Sequence, residues 1–166
     1  MRSLLFVPAD SERKIGKALA SGADAVILDL EDSVSLDAKP AARKIAASTL
    51  KGRGKGPKVL VRINALTSVL AEDDLAAIRD NAPDALVLPK AEGGADVKRL
   101  IDLAGLPVIA IATETARAIF QLGTYDGCGP KLLGLAWGME DLAAALGAQS
   151  NRDEAGLPTE PYRLAR

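Results

Sequence analysis

Six short apolar runs, at residues 3–7, 25–30, 58–63, 85–88, 107–112 and 131–137, recur along this chain, and each is a candidate strand. They are rich in Val, Ile and Leu and lack clean polar alternation, the pattern of parallel strands covered on both faces. Between them lie alanine-rich segments with helical spacing, at 12–21, 39–50, 72–80, 95–103, 115–122 and 141–146. Such alternation predicts an α/β fold of βα repeats around a parallel sheet. Gly22, Gly105 and Gly147 fall just past predicted helix ends, where a left-handed residue commonly closes a helix.

The 166 residues suffice for one domain with a real core, although an eight-stranded βα barrel typically takes roughly 250. A formal charge of -1, from 21 basic and 22 acidic side chains, gives no overall field for nucleic acid or an anionic membrane, so neither is an expected partner. Leu4-Leu5-Phe6-Val7 is stopped by Pro8 and a charged stretch, too short for a signal segment or a membrane span. With one cysteine, Cys128, no internal disulfide is available, and cytoplasm is the expected location. Histidine is absent altogether, which removes the Ser-His-Asp triad, the His-Glu-x-x-His zinc site and every histidine general base. Chemistry must therefore rest on carboxylates, Arg, Lys or a metal. Residues 51–57 alternate glycine with cations but lack the Gly-Lys-Ser/Thr ending of a phosphate loop, and read as a solvated connection. The polar stretch 149–161 reads as a loop, and 162–166 as the opening of a helix.

Charge gathers where the predicted strands end, the side on which parallel βα folds hold ligands. Strand two closes on Asp29, Glu31 and Asp32, whose mutual repulsion calls for a cation or hydrogen-bond donors; a helix cap is the plainer role for Asp32. Arg62 closes strand three, and its planar fork suits a substrate carboxylate, or an ion pair with a strand-two acid, or both. Strand four ends in Pro89-Lys90-Ala91-Glu92; nothing in the sequence marks Lys90 as a Schiff-base lysine. Glu114 and Asp141 occupy matching positions after strands five and six, either as helix caps or as one oxygen ligand each for a shared Mg²⁺ completed by water and substrate.

The motifs Leu5-Phe6-Val7-Pro8, Ala23-Asp24-Ala25-Val26-Ile27-Leu28-Asp29-Leu30-Glu31-Asp32, Val61-Arg62-Ile63-Asn64, Leu88-Pro89-Lys90, Glu114-Thr115-Ala116 and Gly138-Met139-Glu140-Asp141-Leu142 span the chain. In kind and order they resemble the citrate lyase β-subunit family and the related malyl-CoA lyases of the HpcH/HpaI aldolase superfamily. The resemblance implies a (β/α)₈ TIM barrel, with residues 1–166 forming a single barrel domain of about six βα units that lacks its last two strands and C-terminal segment. An open sheet exposes unpaired edges, so truncation or completion by a neighbouring chain is expected. The likeness further implies Mg²⁺ held by Glu114 and Asp141. Arg62 would contact the carboxylate or carbonyl oxygen of a small acid, and the amides of Gly138, Met139 and Glu140 would receive its carboxylate. Glu31 and Asp32 would lie near the metal and its waters and complete the catalytic set with Arg62, while Arg13, Lys14 and Lys17 would meet the phosphates of coenzyme A.

The implied reaction is Mg²⁺-dependent carbon-carbon cleavage of a 3-hydroxyacyl-CoA of citryl, malyl or citramalyl type. Its products would be an acyl-CoA, or the equivalent acyl-carrier thioester, and a 2-oxo acid. Alternatives are a metal aldolase on free hydroxy-keto acids, against which the missing histidine counts, and a non-catalytic subunit that binds a metabolite or acyl carrier. By the same likeness the chain forms a homo-oligomer, a trimer or hexamer.

Overall fold

β2 (Ala25–Asp29) is buried at every position, which is why a strand here carries Val, Ile and Leu without alternation. The computed structural model describes all residues from Met1 to Arg166 and divides into two units, Met1–Val87 and Leu88–Arg166. It is an α/β chain of six strands, and every strand pairing described below is parallel.

In the first unit β1 (Leu4–Pro8), β2, β3 (Lys58–Arg62) and the start of β4 (Ala85–Leu88) pair in chain order. The register sets Asp29 directly opposite Arg62, so a strand-two acid and the strand-three cation are neighbours before any side chain is considered. α1 (Glu12–Leu19), capped by Ser11 accepting from the Lys14 amide, packs on β1 and β2. α2 (Lys39–Gly52) buries Lys39, Ala42, Ala46 and Leu50, one stripe at helical spacing, and packs on α3 (Leu70–Ile78). Two polar clamps fix these helices. The buried Lys39 ammonium donates to the carbonyls of Leu30 at 2.7 Å and Glu31 at 3.0 Å, tying the start of α2 to the end of β2. The fully buried Asp74 accepts from Arg43 Nε and from both the amide and side chain of Asn64, each at 2.7 Å.

The second unit carries β5 (Val108–Ile111) paired with β6 (Leu132–Ala136). α4 (Gly94–Ala104) packs on β5 and on a 3₁₀ turn at Leu122–Tyr125. A Cβ on Gly94 would lie 2.1 Å from the Thr124 carbonyl oxygen, so only glycine permits that approach. α5 (Ala116–Ile119) packs on α6 (Met139–Leu146), and α7 (Glu160–Ala165) adds Tyr162 and Ala165 to a core with Met139 and Leu142.

The predicted strands and helices all form, with ends shifted by at most two residues, except that the segment 115–122 is helical only to Ile119 and then tightens. Gly22, Gly105 and Gly147 adopt the expected left-handed φ. Coverage on both faces holds for β2, β3 and β4 but not throughout. Leu4, Leu5 and Phe6 of β1 are 40%, 40% and 47% exposed, because β1 has a partner on one side only. Leu133 and Leu135 of β6 are equally open. No helix is long and apolar enough to cross a membrane.

Candidate active site and metal centre

In the first unit, charge is concentrated around Arg62. Its Nε and Nη2 each donate to one oxygen of Asp29 at 2.7 Å, the planar bidentate fork, and its Nη1 lies 3.2 Å from Glu31 Oε2. The guanidinium carbon also sits 4.9 Å from the centre of the Phe6 ring. Asp29 accepts in addition from the amides of Glu31 and Ser33 and from the Ser33 hydroxyl. Burial pushes the Asp29 carboxyl upward, but the Arg62 fork and these donors outweigh it and hold the group below the usual carboxylate range. On Arg62 burial acts to lower the pKa, and the acids Asp29, Glu31 and Asp32 overcome it, so the cation is permanent. Asp29, which the sequence marks only as one of three clustered acids, is thus the residue that aims Arg62. Beside this cluster lies a cleft of about 350 Å³ with Glu31, Asp32, Lys39, Asn64 and Ser68 among its walls.

In the second unit, Glu114 and Asp141 meet. Glu114 leaves the end of β5 and Asp141 sits in the first turn of α6, after β6. Neither is the N-terminal cap of its helix: Thr115 caps α5 by accepting from the Ala118 amide, and Gly138 precedes α6. Burial is the largest influence on Glu114, which is 4% exposed, and a hydrogen bond and like charge from Asp141 add to it. The Lys90 amide, donating to Glu114 Oε2 at 2.5 Å, opposes them, and the carboxyl is still pushed up to about 7. Gly138 makes the approach possible, since a Cβ there would lie 2.4 Å from Glu114 Cγ. Lys90 joins the pair a second time through its ammonium, 3.4 Å from Asp141 Oδ2. Its φ of 51 places a non-glycine residue in the left-handed region, at a cost of about 1–2 kcal/mol.

Glu114, its carboxyl pushed up by burial and by the neighbouring Asp141, lies where positive charge is favourable, and a divalent ion would supply it. The donors are all oxygen, the preference of Mg²⁺ rather than of softer metals. No group of three Asp, Glu, His or Cys side chains is placed to hold a metal ion, so an ion on Glu114 and Asp141 would take most of its ligands from water and substrate, as Mg²⁺ favours. The residues present therefore fit this ion.

The remaining predicted residues are placed as follows. Gly138, Met139 and Glu140 open α6 as expected, although the Gly138 amide donates to Thr113 Oγ1 at 3.2 Å, and Glu140 accepts from Asn151. Arg13 and Lys14 are exposed on the first turns of α1. Asp32 is exposed as well, and contributes charge to Arg62. Lys90 is the site residue that sequence reasoning passed over; its lysine was visible after strand four, but a left-handed φ outside glycine leaves no mark in the sequence.

The family model described as HpcH/HpaI aldolase/citrate lyase matches residues 2–160. The chain belongs to that family. Within it, a citrate lyase subunit beta-like protein of Mycobacterium tuberculosis is 42% identical over 163 residues, covering 98% of this chain and 56% of the relative. A (3S)-malyl-CoA thioesterase of Cereibacter sphaeroides is 32% identical over 160 residues, covering 95% and 55%. The chain spans about half the length of the curated relatives it matches. Among solved structures, the citrate lyase beta subunit of M. tuberculosis, complexed with oxaloacetate and magnesium, matches with a TM-score of 0.84 at 39% identity, over 96% of this chain and 68% of that one. The expected family and the α/β fold of parallel βα units are both borne out.

Proposed function

We propose that this chain carries the metal and acid-binding part of a Mg²⁺-dependent carbon-carbon lyase that splits a 3-hydroxyacyl-CoA into an acyl-CoA and a 2-oxo acid. The observation that carries the reading is the meeting of the buried Glu114 with Asp141. It is supported by the family and by the magnesium and oxaloacetate of the M. tuberculosis citrate lyase beta subunit. On this reading residues 1–166 contribute six βα units to one (β/α)₈ barrel domain.

Glu114 and Asp141 hold the ion, which when bound supplies Lewis acidity to the hydroxyl and carboxylate oxygens of the substrate. The hydroxyl gives up its proton, the bond between the carbinol carbon and the carbon next to the thioester breaks, and the electron pair passes to a thioester enolate. That enolate takes a proton to become the acyl-CoA, and the carbinol carbon becomes the ketone of the 2-oxo acid. Arg62, fixed by Asp29 and Glu31, offers a permanent cation to the acid's carboxylate or carbonyl oxygen, with Glu31 and Asp32 shaping the charge around it. The amides of Met139 and Glu140, at the opening of α6, are assigned to the carboxylate. Arg13 and Lys14 are assigned to coenzyme A phosphates.

The test is release of 2-oxo acid from malyl-, citramalyl- and citryl-CoA by the full-length protein. Glu114→Ala and Asp141→Ala, each folded by circular dichroism, are expected to lose at least about a hundredfold in rate. Near-normal turnover in either removes the assignment. A second reading, hydrolysis of the thioester, is favoured by the likeness to the malyl-CoA thioesterase. It gives free thiol without any 2-oxo acid.

A further inference from the structure

Lys90 touches both acids. Its main chain donates to Glu114 Oε2 at 2.5 Å, and its side chain brings the ammonium to 3.4 Å from Asp141 Oδ2. It does so from a left-handed backbone that lysine rarely adopts, although nothing about that turn bars glycine or asparagine. Strain kept at such a place signals a local requirement.

We infer that Lys90 is a positioning residue that stands in for the metal: its amide fixes Glu114, its ammonium balances Asp141, and the arriving ion takes the place of that ammonium. The inference rests on the reading of Glu114 and Asp141 as the metal-holding pair. The two contacts differ in a way that suits the exchange. The main-chain bond reaches a buried carboxylate and persists whatever the side chain does. The ion pair is one-third exposed on both partners, and such pairs on flexible stems are weak and readily exchanged. A divalent ion brings twice the charge to the same oxygen, so it wins the exchange. The ammonium keeps the second acid in place until the ion arrives, and its cost is competition with that ion.

Competition has a sign. Removing the charge while keeping the stem, in Lys90→Met, is expected to tighten Mg²⁺ binding about fivefold, and Lys90→Arg, which keeps the charge, to stay within about twofold of wild type. The readout is isothermal titration of MgCl₂ into the full-length protein at low ionic strength, independent of any turnover. Lys90→Asn serves as a second neutral variant, because asparagine accepts the left-handed turn without strain. Tighter binding in both neutral variants, lost on raising the salt concentration, supports the proposal. Affinity in both that is unchanged or weaker, while Glu114→Gln abolishes binding, overturns it and leaves the metal pair intact. Wild type and Glu114→Gln binding Mg²⁺ equally overturns the metal pair and this inference together.

Discussion

Two clusters of charge, one in each unit, follow opposite electrostatic rules. Around Arg62 a cation is enclosed by acids and donors, and Asp29 is held below its ordinary range. Around Glu114 an acid is enclosed by another acid, and its carboxyl climbs to about 7 although Lys90 stands beside it. The first cluster satisfies Asp29 with its own residues, the Arg62 fork and the donors from Glu31 and Ser33. The second leaves a carboxyl pushed upward by burial and a neighbouring acid, a place where added positive charge would be favourable. That contrast separates a cluster that fixes a cation in one orientation from one that, on the proposed reading, leaves a deficit for a metal ion to meet.

The same chemical change is therefore expected to act in opposite directions at the two places. Asp29→Asn takes the charge from the fork and leaves Arg62, which is 13% exposed, with Glu31 as its remaining partner. A loss of about 3 kcal/mol is expected, read as a lowered urea midpoint; a change under about 0.5 kcal/mol would show that the fork is dispensable. Glu114→Gln, in chelator and at pH 8, is expected instead to raise stability by about 1–3 kcal/mol, because it removes a buried carboxylate repelled by its neighbour.

The pH dependence follows from the same shift. In the unfolded chain Glu114 releases its proton near 4.5, and in the folded chain near 7. Between those values the folded state binds more protons, so the metal-free protein loses stability as pH rises through that window. Glu114→Gln is expected to flatten this slope. Asp29, whose shift is downward, adds stability that is lost only as pH falls below its ordinary range, so it leaves the window untouched. Parallel slopes in wild type and Glu114→Gln would dissolve the distinction between the clusters.

Much of this was legible in the sequence, and the parts that were not have physical reasons. Unbroken Val, Ile and Leu runs revealed β2, β3 and β4 because strands covered on both faces tolerate little else. The same reading overreached at β1 and β6, where an edge position leaves identical residue types exposed. Arg62 and the acids after strand two could be linked before the fold was seen, since an apolar strand ending in opposite charges leaves few other partners. The choice of Asp29 as the fork depended on register, which pairs it directly with Arg62. Glu114 and Asp141 were equivocal between helix caps and metal ligands; the structure gives the caps to Thr115 and Gly138, and the ligand role is the one proposed above. Lys39 and Asp74, which lock α2 and α3 in place, were not singled out, because burial of a single polar side chain within an amphipathic helix leaves no periodic trace.

The most direct measurement is an anomalous difference map from crystals soaked in Mn²⁺, a close mimic of Mg²⁺ with a usable absorption edge. One peak per chain, bridging the carboxylates of Glu114 and Asp141, with the Lys90 ammonium withdrawn from Asp141, is the expected result. Full occupancy of Mn²⁺ at any other place, with those two carboxylates still hydrogen-bonded to each other, would contradict it.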